Sequence, residues 1–321
     1  MTYEELEKKR KIYRNIRILD VIIFLLIAYF SFTNYESIGE LIFLPFIIGI
    51  IIIAIITMGP SKDYSKAYKD YFVLRGLKEI ITDLKYDPDS GMPSNAISST
   101  HMMNMGDVYN SNDFISGKYK DVSFTQADVH IQEEYETTDS DGHTTTHYVT
   151  IFRGRWMVFD FNKEFKANVQ VAQKGFGNNR VKKRGLFSKK DDNSYYQNVK
   201  MESEEFNKRF KVYAQNEHDA FYILTPSLME KIEKLDDDNK GKLLLCFINN
   251  RLHIGLYDNK DSFEAPSCFF KINEEKEINK TNGDIKVITQ FVDQLNLDNT
   301  LFKNISINKE QLNNKQQVNN K

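Results

Sequence analysis

The sequence predicts an α+β protein in two parts. A two-helix transmembrane hairpin comes first, followed by a cytoplasmic, mostly antiparallel β-sheet domain with packed helices. Three observations point there. The stretch LIFLPFIIGIIIIAIITM, residues 41–58, holds no charged side chain in a chain whose residues are 27% charged. Lys and Arg crowd the outer flanks of the two apolar runs and are missing between them. From about residue 95 to 215, Thr, Val, Ile, Tyr and Phe dominate in alternating segments broken by turn residues, the pattern of strands.

The composition suits a packed core: 41% of the 321 residues are hydrophobic and 13% aromatic, with a mean hydropathy of -0.50. The net charge of -2 sets up no global field toward nucleic acid, and no such partner is expected. Two cysteines, Cys246 and Cys268, do not make a disulfide framework. Cys246, inside the apolar run KLLLCFI, is expected to be buried, which fits a reducing compartment.

An eighteen-residue helix rises about 27 Å, close to the hydrocarbon thickness of a bilayer. Residues 41–58 meet that length, and a buried strand would be far shorter. Pro45 and Gly49 would weaken a soluble helix but are tolerated in a membrane helix. Gly59-Pro60 is expected to end it. The earlier run, residues 18–35, carries Asp20 in its first turn near Arg17. Its rival reading is a signal peptide, but no small-residue cleavage site follows and a second apolar run begins within ten residues. Residues 1–17 hold six Lys/Arg, the linker 33–40 none, and Lys62, Lys66, Lys69 and Arg75 follow the second run. Positive flanks stay inside. The expectation is a multi-pass protein of the inner (plasma) membrane with N- and C-termini cytoplasmic. If the first run did not span, the domain would lie outside.

Three parts follow: a basic segment and hairpin over 1–60, a cytoplasmic domain over 61–304, and a disordered Asn/Gln/Lys-rich tail over 305–321. Within the domain, a juxtamembrane helix is predicted over 61–84, a second over about 219–235 with Thr225 as cap and Pro226 at its first position, and a third over 284–295. The juxtamembrane helix is read as a stalk packed on the domain, with contact to headgroups as the other reading. Asn249-Asn250 predicts one hairpin turn and Asp141-Gly142 another. The second turn sets a register in which Asp128 faces Arg155, His130 faces Arg153 and Glu136 faces His147, an exposed charged face. The strand run closed by a terminal helix also allows a pleckstrin-like barrel or half-barrel.

Site motifs are few. His143-x3-His147 has helical metal spacing, but on a strand the two lie about 13 Å apart, so no metal is assigned. The DSDG segment resembles the start of a calcium loop, but no Glu stands at its twelfth position. No phosphate-loop, nucleophile-elbow, zincin or dinucleotide motif occurs, and no cofactor is expected. Asp128, His130 and Glu134 could act as acid/base machinery, with Gln132 on the same stripe and Arg153 and Arg155 opposite. The same spacing suits an exposed strand face. Residues 174–190 carry seven Lys/Arg and no acid; here Lys182, Lys183, Arg184 and Phe187 are candidates for contact with anionic lipid or a protein partner.

The segments YKDYFVLRGLKEIITDLKYDPDSGMP, YNSNDFISGKYKDVSFTQADVHIQEE, FRGRWMVFDFNKEF and LHIGLYDNKDSFE, and above all FKVYAQNEHDAFYILTPSLMEKI, together resemble the bacterial domain-of-unknown-function family 3137. The resemblance covers most of residues 65–300. It implies two N-terminal spans before a cytosolic domain and shared work with LemA-type membrane proteins. It brings no catalytic residues. The function expected is therefore a membrane-anchored cytoplasmic binding or scaffold module, non-catalytic, with the lipid bilayer and a LemA-like protein as partners. The alternative is a membrane-tethered hydrolase using the strand face around Asp128, His130 and Glu134.

Overall fold

The computed structural model describes residues 1–34, 43–160, 168–176, 196–295 and 297. It divides into two compact units, Met1–Glu79 with Phe263–Ile285, and Ile80–Ser262 with the residues from Lys286 onward. Parts of the hairpin linker, the segment with Lys182, Lys183, Arg184 and Phe187, and the tail 305–321 lie outside the described residues.

The first unit is helical. Helix α1 spans Tyr3–Thr33 and opens on a reciprocal cap, in which the Thr2 hydroxyl accepts from the Glu5 N–H and the Glu5 carboxylate accepts from the Thr2 N–H. Helix α2, Phe43–Tyr68, runs on through a π-helical turn, Lys69–Val73, into α3, Leu74–Ile80. Among the described residues two helices are thus long and apolar enough to cross a membrane, and only 11% and 6% of their apolar windows are buried. A core helix of a soluble protein would be mostly covered. They pack on each other where Gly49 leaves room for Ile27: a Cβ at Gly49 would come within 2.3 Å of its Cδ1. Asp20 accepts a 2.9 Å hydrogen bond from Thr57 and lies 3.6 Å from Arg17, as its place near the charged flank requires.

One boundary differs from expectation. Gly59-Pro60 ends the apolar pattern but not the helix, because Pro60 sits inside the continuous helical run Phe43–Ile80. The missing N–H costs one backbone bond, and the flanking turns hold the helix. At the other end the helix stops at Ile80, and the segment through Leu84 is strand.

Among the described residues the second unit is built on one nine-stranded sheet in which every paired neighbour is antiparallel. Its strands are β1 (Thr82–Asp87), β2 (Val108–Tyr119), β3 (Val122–Thr138), β4 (Thr144–Asp160), β5 (Val169–Gln173), β6 (Gln197–Val199), β7 (Phe210–Ala214), β8 (Lys242–Ile248) and β9 (Arg251–Tyr257). Their order is β1-β2-β3-β4-β9-β8-β5-β7-β6. The sheet is open, with β1 and β6 at its edges, so the barrel alternative does not hold among the described strands. The β8–β9 hairpin turns on Asn249 and Asn250, both at positive φ as a type I′ turn needs, and β8 is buried on both faces as its apolar run implied.

Around the sheet lie α4 (Ser94–Ser98), α5 (Glu204–Arg209), α6 (Glu217–Ile223) and α7 (Pro226–Asp238); helix α8 (Glu274–Leu295) is divided, its part up to Ile285 belonging to the first unit and its part from Lys286 to the second. The helix expected over 219–235 is two helices, since Thr225 caps α7 with Pro226 at its start and so closes α6 behind it. Helix α8 begins ten residues before its expected start. Asn273 accepts from the Lys276 N–H, and Glu274, Glu275 and Glu277 favour its positive end, which outweighs Gly283 in its interior. The core gathers Val129, Ile131, Phe152, Trp156, Leu244 and Cys246. Gly255 is required there, because a Cβ would meet the Trp156 ring at 2.7 Å. Both cysteines are buried, and neither is in a disulfide.

Candidate functional site

Strands β3 and β4 form the longest hairpin of the sheet and carry every polar candidate outside the basic segment. The body of the hairpin has the expected register: Asp128 opposes Arg155 and His130 opposes Arg153. The tip differs. Residues 139–143 form a five-residue loop closed by Thr138 and Thr144, and Ile151 is bulged out of the ladder. The two departures cancel in the body but shift the arm, so Glu136 opposes Thr146 and Tyr135 opposes His147. The loop is organised by Asp139, whose carboxylate accepts from the Asp141 and His143 N–H groups, with Gly142 at positive φ.

The exposed charged face is not what the body presents. Asp128 and Arg155 are each only 2% exposed, His130 and Arg153 are half-buried, and only Glu134 is open to solvent. The reason lies in residues that the sequence did not single out. The loop 258–262 after β9 folds over this face. The Ser262 N–H donates to Asp128 Oδ2, while Arg155 Nε donates to Ser262 Oγ at 2.7 Å. Ser111 of β2 donates to the Asp128 carbonyl, and Asn112 bonds both Asp113 at 2.9 Å and Asp261 at 3.4 Å. Tyr86 donates to Asp113 at 2.6 Å; Asp113 itself sits at positive φ, where the β2 register shifts. A loop closing on a sheet face from well over a hundred residues away leaves no periodic signal. The only hint was the turn-rich stretch DNKDS.

Burial pushes the Asp128 carboxyl up to about 8, against the opposing pull of Arg155 and of the Ser262 N–H, with Asp113 and Asp261 adding to the rise. Burial lowers His130, and Arg153 lowers it further, so its ring is neutral at pH 7; its Nε2 lies 3.2 Å from the Thr150 hydroxyl. Glu134 is six residues beyond Asp128, about 20 Å along the strand, so the two carboxyls cannot act on one substrate atom. His143 Nδ1 lies 3.5 Å from Asp139, whereas His147 Nε2 lies 2.8 Å from the Thr137 hydroxyl. The two rings face different partners and do not share a metal position.

Beyond the buried cluster the hairpin becomes a free arm. Strand β2 pairs with β3 only as far as Gln132, and β9 pairs with β4 only from Gly154 onward. Among the described residues, 133–149 therefore have no strand partner but each other, although the Glu134 N–H donates to the Asp107 carboxylate at 2.9 Å; no Lys or Arg occurs among them. They carry Glu133, Glu134, Glu136, Asp139 and Asp141, and expose Tyr135, Tyr148 and Val149. Stacking of Tyr135 on His147 at 5.1 Å and a Thr138–Thr144 hydroxyl contact hold the two strands together.

Residues 150–297 match the model of a family described as "Protein of unknown function (DUF3137)". No curated protein and no solved structure matches the chain.

Proposed function

We propose that this chain, which belongs to the DUF3137 family through residues 150–297, is a membrane-anchored, non-catalytic binding or scaffold module. In this reading α1 and α2 cross the bacterial inner membrane as a hairpin, with both termini and the sheet domain in the cytoplasm. The observation that supports it most is the exposure of the hairpin. Leu25, Leu26, Tyr29, Phe43, Ile47, Ile50, Ile51 and Ile55 all present half or more of their surface, an apolar area that water does not tolerate in a monomer. The charge asymmetry of the flanks favours this orientation.

The arm supplies the binding surface. Among the described residues no third strand pairs with this ribbon, and a two-stranded ribbon is marginal in water, so its exposed aromatic side chains suit contact with another molecule. Five carboxylates and no cation make that molecule a basic one. A LemA-like membrane protein, as the family resemblance implies, and the anionic leaflet opposite Lys182, Lys183, Arg184 and Phe187 complete the proposed set of partners.

A photo-crosslinking residue at Thr146, in the full chain in its native membrane, tests this. One discrete crosslinked product should form, and the double variant Tyr135→Ser/Tyr148→Ser should abolish it while the protein still resists alkaline extraction. Crosslinking that survives the double variant unchanged would refute the arm as the binding surface; extraction by alkali would refute the anchor.

A further inference from the structure

A second basic site lies in the helical unit, far in sequence from residues 174–190. Along α1, Lys8, Lys11, Ile12 and Asn15 recur at spacings of three and four and share one face. They line a cavity of about 430 Å³ together with Tyr3, Glu4, Glu7 and Lys271. Lys271 arrives from the segment before α8, more than 250 residues away. A buried network fixes it there. Arg10 Nη1 donates to the Cys268 carbonyl at 2.5 Å, the Ile272 N–H donates to Glu7 Oε1 at 3.2 Å, and the Tyr3 hydroxyl donates to the Ile272 carbonyl at 2.8 Å.

The charge of this cavity is unbalanced. Glu7 is held by Arg10 through two bonds, at 2.8 and 2.9 Å, which leaves Glu4 as the one acid of the lining without such a partner. Among the described residues Lys8, Lys11 and Lys271 make no ion pair. Bringing three lysines to one hollow opposes Coulomb repulsion, which an anion would relieve. A second feature is independent of charge. Phe269 and Phe270, directly before Lys271, are 48% and 76% exposed on the same docked segment. Asn15 is three residues, about 5 Å, from Ile18, where the continuously exposed apolar surface of α1 begins.

We infer that this hollow holds the phosphate headgroup of an anionic lipid of the cytoplasmic leaflet. Lys8, Lys11 and Lys271 take the phosphate, Asn15 contributes an amide donor, and Phe269 and Phe270 rest against the acyl boundary. Free phosphate shares the charge but cannot use the two phenylalanines, so the lipid is the occupant. The inference rests on the hairpin being a membrane anchor.

The test uses the full chain reconstituted into vesicles, with spin-labelled phosphatidylglycerol and phosphatidylcholine as probes and flotation as a separate readout. Phosphatidylglycerol should associate several-fold more strongly than phosphatidylcholine. Lys271→Gln should reduce that preference about fivefold, the factor expected for one basic residue at the surface. Phe269→Ser/Phe270→Ser should weaken association of the anionic probe, and inorganic phosphate should compete no better than chloride at equal ionic strength. An equal loss from Lys62→Gln, which sits beyond the hollow on the other helix, would overturn the site in favour of general surface charge. Displacement by inorganic phosphate would overturn the lipid assignment. A chain that fails to float with vesicles would instead refute the anchor, which separates the two failures.

Discussion

His253 shows how a single side chain makes the sheet sensitive to acid. It lies buried on β9, and its Nδ1 accepts the Trp156 indole N–H at 3.4 Å. Burial, helped by the Arg251 charge, holds its value down to about 4. The unfolded imidazole titrates near 6.5, so between roughly pH 6.5 and 4 the unfolded chain binds the extra proton and stability falls as pH falls. The full effect is roughly 3 kcal/mol. His253→Gln keeps an acceptor for Trp156 and removes the titration. Followed by the fluorescence of the lone tryptophan, the urea midpoint of the variant should fall less steeply over that window than the parent's; parallel curves would exclude this role. Asp128 acts in the opposite sense: its raised value contributes stability at low pH that is lost as pH rises from about 4 toward 8. Asp128→Ala also strips the Ser262 N–H of its buried acceptor and leaves Arg155 without the carboxyl opposite it, a loss on the order of 3 kcal/mol. The pairing of Asp128 with Arg155 was legible from turn position and strand alternation. Their burial was not, because Ser262 and Asp261 belong to a loop whose path no periodicity records.

Among the elements, those bounded by local chemistry were the most readable. The two-residue Asn249-Asn250 turn fixed the β8–β9 register, and Thr225-Pro226 fixed the start of α7. Thr225→Ala removes the hydroxyl that accepts from the Leu228 N–H and should lower stability by about 1 kcal/mol, measured by the same urea transition. The boundaries that moved did so where tertiary context overrides propensity. Pro60 stays within a continuous helix, and Ile151 bulges out of the ladder, so that His147 faces Tyr135 rather than Glu136. The bulge sits where β4 loses β9 as a neighbour and the arm begins. Because among the described residues 133–149 have no strand partner but each other, and only the Glu134 N–H to Asp107 bond ties them to the body, shortening the arm to a tight turn between Gln132 and Thr150 should leave the urea midpoint nearly unchanged while removing the crosslink at the arm. A large loss of stability would instead make the arm part of the folding core.

For the whole molecule, the division into an apolar hairpin and a sheet domain was legible because it follows from composition alone: an uncharged run as long as a bilayer is thick, with basic residues on its outer flanks. The strand order was not legible. The β8–β9 hairpin is inserted between β4 and β5, and antiparallel alternation is equally compatible with several such orders. The hollow with Lys271 was hidden for the same reason, since its lysines come from opposite ends of the chain.

The central claim, that the hairpin spans the membrane and leaves the sheet domain inside, is most directly tested by labelling single introduced cysteines in intact cells with a membrane-impermeant thiol reagent, the two native thiols being buried. Ser37→Cys, between the apolar runs, should label from outside. Ser140→Cys, at the tip of the arm, should label only after the membrane is opened. Labelling of Ser140→Cys in intact cells, or of neither position until permeabilisation, would contradict the account.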